Sequence, residues 1–178
     1  MLPAVLIGVA VVVLALVALV ASRPAAFRIS RTVRISAPAQ SVFALVNDFH
    51  QWERWSPYEK RDMAMTKAYE GAASGAGAAY GWSGDKQVGQ GRMTIVESRP
   101  CELICIRLEF ERPFKATNTA EFAFAAEGSQ TAVTWSLLGR NNFMMKAMSL
   151  LLNMDQMIGK DFEQGLSQLK AEAEGQPR

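Results

Sequence analysis

The chain has 178 residues, 49% of them hydrophobic and 20% charged, with a formal net charge of +2. So small a cationic excess leaves no electrostatic footprint for nucleic acid. One histidine and two cysteines exclude a histidine-rich metal centre and a disulfide-dense scaffold.

Met1 to Ser22 carries no charged side chain, and Ala4 to Ala21 is almost entirely Val, Leu, Ala and Ile. A helix of that length rises roughly 27 Å, close to the thickness of a bilayer's hydrocarbon core. Gly8 is its one interruption, and glycine is tolerated in transmembrane helices. A cleaved secretory signal would carry a basic leader and a small-x-small cleavage site. Met1-Leu2-Pro3 and Leu19-Val20-Ala21 supply neither. A core helix would show one apolar face rather than an apolar surface all round. Residues 1–22 are therefore expected as a transmembrane anchor, with 23–26 as a linker. Arg23, Arg28, Arg31 and Arg34 follow before the first acidic residue, Asp48. By the retention of cations on the cytoplasmic side, the domain is expected there, facing anionic headgroups.

About 155 residues remain, enough for one domain with a substantial core. From Phe27 to Ile35, Phe27, Ile29, Arg31, Val33 and Ile35 alternate with Arg28, Ser30, Thr32 and Arg34, the pattern of a strand buried on one face. Ser36-Ala37-Pro38 supplies a cap and then a proline, predicting a helix over 39–47. A short helical turn over 48–54 ends at Trp55-Ser56-Pro57, where proline forces the preceding residue extended. Six strands follow, at 63–70, 76–83, 88–98, 102–110, 117–126 and 131–139, separated by short glycine- or proline-bearing turns that predict an antiparallel meander. From Asn141 the period becomes helical. Ile158, Phe162, Leu166 and Leu169 form the stripe of a helix lying on a sheet, with Asn153 and Gly159 as candidate breaks. The fold class is α+β. A curved sheet closed by one helix leaves a cavity between them.

Three segments resemble one family. Trp52-Glu53-Arg54-Trp55-Ser56-Pro57, the strand Thr131-Ala132-Val133-Thr134-Trp135, and Ile158-Gly159-Lys160-Asp161-Phe162-Glu163-Gln164-Gly165-Leu166 resemble signatures of the SRPBCC (START-like; polyketide cyclase/dehydrase and lipid transport) superfamily. The resemblance spans about Phe27 to Ala173. It implies a helix-grip fold, a curved antiparallel sheet wrapped around a long C-terminal helix, and an apolar ligand pocket. It implies no particular reaction. The START-like domain is expected over 27–173, with 174–178 as a disordered tail.

Catalytic sets are sparse. His50 has no second histidine or cysteine near it, and Asp48 two residues away should point elsewhere. No nucleophile elbow is present, and Gly89-x-Gly91 sits in a hairpin rather than opening a helix. Cys101 and Cys105, four apart, would share one face of a strand about 13 Å apart, too far for a disulfide. No catalytic residue, metal or cofactor is expected. An enzyme of the cyclase or dehydratase kind would need His50, Tyr80, Asp85 or Glu109 as its acid or base.

The apolar residues are more informative. Trp55, Tyr80, Trp82 and Met93 gather on the strand side. Met144, Met145, Met148, Met154 and Met157 crowd the helical side, and methionine suits deformable apolar surfaces. The candidate cavity residues are Trp55, Tyr80, Trp82, Met93, Met145, Met148, Met157 and Phe162, although core filling accounts equally for individual methionines. Of Arg107, Glu109, Glu111, Asn118 and Glu121, one turned inward would orient a ligand's polar end. The expectation is a membrane-anchored module binding a hydrophobic small molecule or lipid. The alternatives are a cyclase-like enzyme and a ligand-free protein-interaction domain.

Overall fold

A computed structural model describes residues 2–150 and 152–175. In chain order it contains α1 (Leu2–Ser22), β1 (Ala26–Ile35), α2 (Ala39–Asn47), a 3₁₀ helix (Phe49–Arg54), β2 (Thr66–Gly71), β3 (Ala78–Ser83), β4 (Gln90–Arg99), β5 (Leu103–Arg112), β6 (Ala116–Glu127), β7 (Gln130–Arg140), α3 (Phe143–Met148) and α4 (Met154–Ala173). The strands form one seven-stranded sheet, ordered β1-β7-β6-β5-β4-β3-β2, and each β-pair is antiparallel. β2 to β7 form the meander, and β1 closes it against β7. The register of β4 against β5 slips between Ile95 and Glu97, and such a bulge bends a strand and increases its twist. The sheet is thereby curved around α4, the helix-grip arrangement.

Alternation along the strands fills the concave face. Val133, Trp135 and Leu137 of β7 and Phe122 and Phe124 of β6 are buried, while Ala123 and Ala125, which alternate with the two phenylalanines, face solvent. α4 contributes Phe162, Leu166 and Leu169, each at most 3% exposed. Each such side chain contributes about 1.5–3 kcal/mol by leaving water. Phe162 stacks on Trp135 with centroids 4.0 Å apart. Gly165 makes this approach possible, because a Cβ there would lie 2.8 Å from the Trp135 ring and 2.9 Å from Pro57.

Arg31 belongs to the inward set of β1, and α4 covers it. Its guanidinium bonds Asp155 at 3.1 Å and Glu163 at 2.7 Å. Gly159 leaves room for that guanidinium to pass beneath the helix. Gly159 is therefore a close-approach residue and α4 continues through it. The break falls at Asn153, whose side chain accepts from Gln156 N and caps α4 separately from α3.

Three local expectations are corrected. Ser36 does not cap α2: the cap position is Pro38, with no side-chain cap bond, and Ser36 N instead donates to Glu174 Oε1 at 2.6 Å. Residues 63–65 do not extend β2, because Asp62 accepts from Ala64 N at 2.9 Å and curls the chain there. Cys101 shares no strand face with Cys105. It sits in the β4–β5 turn with φ of 61°, and both thiols are free.

α1 lies outside the domain core. Among its described residues only Val20 is buried, and its contacts are with α3, where Lys146 Nζ donates to Ala21 O at 3.4 Å. By length and composition Val5–Ser22 could cross a membrane, and its exposure separates it from the core helix of a soluble protein. Residues 176–178 of the expected tail lie outside the described residues, whereas Glu174 caps α4.

Candidate functional site: a cavity beneath the terminal helix

A cavity of about 270 Å³ lies between the concave sheet, the start of α4 and the segment after the 3₁₀ helix. Its walls are apolar: Trp82 from β3, Met93 from β4, Leu108 and Phe110 from β5, Leu137 from β7, and Ile158 and Phe162 from α4. Trp82 reaches into it because its cross-strand partner is Gly91, where a Cβ would lie 2.5 Å from the indole. The indole N–H donates to Val88 O at 3.0 Å, and its edge meets Phe110. A second, wider groove lies outside α2, between Gln40, Gln51 and Pro100.

The polar end of the cavity is Glu59. Its residue is only 9% exposed, carried inward by the turn after buried Ser56 and Pro57. Tyr80 Oη donates to Glu59 Oε1 at 2.8 Å. Lys67 Nζ lies 2.5 Å from Oε2, as an ion pair outside hydrogen-bond alignment, and also donates to Glu53 at 2.7 Å. Burial, and then the hydrogen bond to Glu59, push the Tyr80 phenol far above its ordinary pKa. It stays a protonated donor, held by Glu59 at the cavity's polar end. Such a site takes an apolar body with a polar group at one end.

Gln87 and Arg61 are the exposed members of the lining and mark the mouth. Arg61 is ion-paired with Asp161 of α4 and lies over the Tyr58 ring, 4.8 Å from its centroid. Tyr58 Oη donates weakly to Asp161 at 3.5 Å. Trp82, Phe110 and Leu137 sit near the ends of β3, β5 and β7, and Val88 just precedes β4. By the antiparallel register these positions share the sheet end at which β1 begins. The cavity thus opens at the end from which α1 leaves.

Of the eight sequence candidates, Tyr80, Trp82, Met93 and Phe162 line this cavity. Trp55 is wholly buried behind it, its indole N–H bonded to Leu45 O at 3.0 Å and its ring against Phe122 and Trp135. Met145 and Met148 lie on α3, beside α1, and Met157 is 55% exposed on the outer side of α4. Methionine density alone does not tell which of these side chains faces the sheet.

Among the acid/base candidates only Tyr80 reaches the cavity. His50 is exposed, stacked on Tyr69 at 4.1 Å, and its Nδ1 lies 2.8 Å from Asp48 Oδ1. That pair does form, contrary to expectation, because Asp48 is the cap of the 3₁₀ helix and not a residue within it. Asp85 accepts from Gln87 N and Val88 N in the β3–β4 turn. Glu109 faces away from the cavity, 3.6 Å from Arg107. None of the five polar strand residues lines the cavity. The inward carboxylate is Glu59, in a turn where no periodicity applies. Among the described residues no three His, Cys, Asp or Glu side chains converge as metal ligands.

The sequence profile described as polyketide cyclase / dehydrase and lipid transport matches residues 26–174. No curated protein sequence matches the chain. Among solved structures, the fold is similar to the di-domain ARO/CYC BexL from the BE-7585A biosynthetic pathway (TM-score 0.64, 18% identity, 90% of this chain and 54% of that one). It is also similar to protein CV1439 from Chromobacterium violaceum (0.59, 17%, 88% and 100%). CalU16 from Micromonospora echinospora is a third structure with a similar fold (0.56, 18%, 86% and 78%). At these identities the structures establish the fold, and the profile match over residues 26–174 shows that the chain belongs to the polyketide cyclase/dehydrase and lipid transport family.

Proposed function

We propose that this chain is a membrane-anchored binding module for a hydrophobic small molecule, lipid- or polyketide-like, held between the sheet and α4 with its polar end at Glu59 and Tyr80. The observation that carries the reading is an apolar cavity ending in one buried, partly paired carboxylate. Its 270 Å³ falls just below the usual range of about 300–1,000 Å³ for ligand pockets. That favours a compact guest, a single chain or a small ring system, over a two-chain lipid. The α1 helix serves as the anchor, with the domain on the cytoplasmic side by the clustering of Arg23, Arg28, Arg31 and Arg34 after it. Tethering raises the effective concentration of a pocket beside ligands that partition into the bilayer.

The test uses the fragment starting at Arg23, whose core contains no α1 side chain. Native mass spectrometry and displacement of a fluorescent fatty acid should both report an occupant. Ala120 of β6 is buried in the cavity wall, and Ala120→Phe, which pushes a ring into the cavity, should abolish binding with the fold retained. A fragment that carries no ligand and displaces no probe would overturn the binding reading.

A second reading, a cyclase- or dehydratase-like enzyme, is favoured by one observation: Tyr80 and Glu59 form a hydrogen-bonded acid/base pair inside the cavity. Release of a chemically altered ligand, lost in Tyr80→Phe while binding persists, would support it over plain carriage.

A further inference from the structure

We infer that the end of the domain bearing the cavity mouth is a bilayer-contact face, seated in the headgroup layer by exposed apolar side chains and a rim of cations. This rests on reading α1 as a membrane anchor. Outside α1, seven large hydrophobic side chains among the described residues are exposed. Met63, Phe114, Phe143, Met144, Leu152 and Met157 lie at the anchor end, and only Val96 lies elsewhere, in the β4 bulge.

Topology fixes where they sit. Phe143 and Met144 begin α3, which follows β7 directly and packs against α1. Asn141 N donates to Ala25 O at 2.7 Å, which clamps the start of that segment to the anchor's exit. Phe114, 63% exposed, tips the β5–β6 turn. With β7 and β6 intervening, that turn lies about 10–15 Å from β1 along the same sheet edge. Met63 lies next to Asp62, whose carboxylate accepts from Asp85 N at 2.9 Å in the β3–β4 turn beside the mouth. A bilayer entered by α1 at this end is therefore within reach of all of them.

Charge agrees. Among the described residues eight cations make no ion pair within the chain: Arg23, Lys86, Arg112, Lys115, Arg140 and Lys146 lie at this end, and Lys60 and Lys160 lie in the segment after the 3₁₀ helix and on α4. Arg28, Arg31 and Arg34 on β1 are each matched with Glu121, Asp155 and Glu163, or Glu127. Unmatched cations around exposed aromatic and methionine side chains fit an anionic lipid surface, where the cations meet headgroups and the apolar tips enter the acyl boundary. The consequence is a cavity mouth held against the membrane, so that an apolar guest passes between the two without crossing bulk water.

The test uses the full chain with Cys101→Ser, leaving Cys105 buried, reconstituted in phosphatidylcholine/phosphatidylglycerol vesicles. Phe114→Cys, Phe143→Cys and, at the opposite end in the β6–β7 turn, Ser129→Cys each carry an environment-sensitive fluorophore. Labels at 114 and 143 should emit blue-shifted, resist iodide and be quenched by spin-labelled lipid at a depth of about 5–10 Å. The label at 129 should behave as in water. Labels at 114 and 143 as iodide-accessible as at 129, in chains that resist alkaline extraction, would overturn the contact face and leave the anchor standing. Chains released by alkaline extraction would overturn both.

Discussion

Tyr80→Phe isolates the polar end of the cavity. Tyr80 is 3% exposed and Glu59 9%, so deleting the hydroxyl strands Glu59 Oε1 where water reaches poorly. A hydrogen bond to a charged group is worth about 1.5–3 kcal/mol, and Lys67 on the other oxygen compensates part of the loss. The expected cost is about 2 kcal/mol, or about 4–8 °C in Tm for a domain of this size. Urea unfolding should show a lower midpoint at unchanged slope. Tyr69→Phe is the control: Tyr69 is half-buried and packs beside Tyr80, and it should stay within about 0.5 kcal/mol of the parent. The sign with pH follows from the raised folded-state pKa of Tyr80, caused by burial and then by Glu59. Its contribution is complete below about pH 10, the unfolded value, and is lost as pH rises toward the folded one. Tyr80→Phe should flatten the alkaline fall in stability. If Tyr80→Phe and Tyr69→Phe cost the same small amount, Glu59 is solvated by other means and the reasoning about a single dry polar anchor is refuted.

Three further outcomes are expected. Gly165→Ala places a Cβ 2.8 Å from Trp135 and 2.9 Å from Pro57, and should cost about 1–3 kcal/mol by overpacking, read by thermal unfolding. At Asp48, burial pushes the carboxyl up but is outweighed by hydrogen bonds from His50 N, the His50 ring and Gln51, so its pKa lies below the ordinary value. That stabilisation exists above the unfolded pKa, near 3.9, and is lost as pH falls through the lower folded one. Asp48→Ala should therefore cost about 0.5–2 kcal/mol at neutral pH, with the gap to the parent closing in strong acid; a gap independent of pH would contradict it. Cys105 is buried with its thiol pKa pushed up by burial and by Glu121. Iodoacetamide should alkylate Cys101 in the native protein and Cys105 only on unfolding, as peptide mapping would show.

Sequence alone determined the long uncharged apolar segment, the seven strands, the helical stripe of Phe162, Leu166 and Leu169, and the family, because each is written in local periodicity, turn residues or contiguous motifs. Within the site, Tyr80 and Trp82 were legible as aromatics on the strand side. Met93 and Phe162 followed from their place on elements that must face each other. Glu59 was not legible, since a turn carries no period that says in or out, and its burial depends on Pro57 wedged under Gly165 and on Tyr80 arriving from a strand 21 residues away. Nor could composition decide that Met145 and Met148 would lie on α3 beside α1, away from the cavity. Whether a cavity remains, which carboxylate ends it, and that its mouth shares one edge with the end of α1 are properties of how distant segments pack. Long-range geometry alone sets them, through the antiparallel register and the bulge in β4.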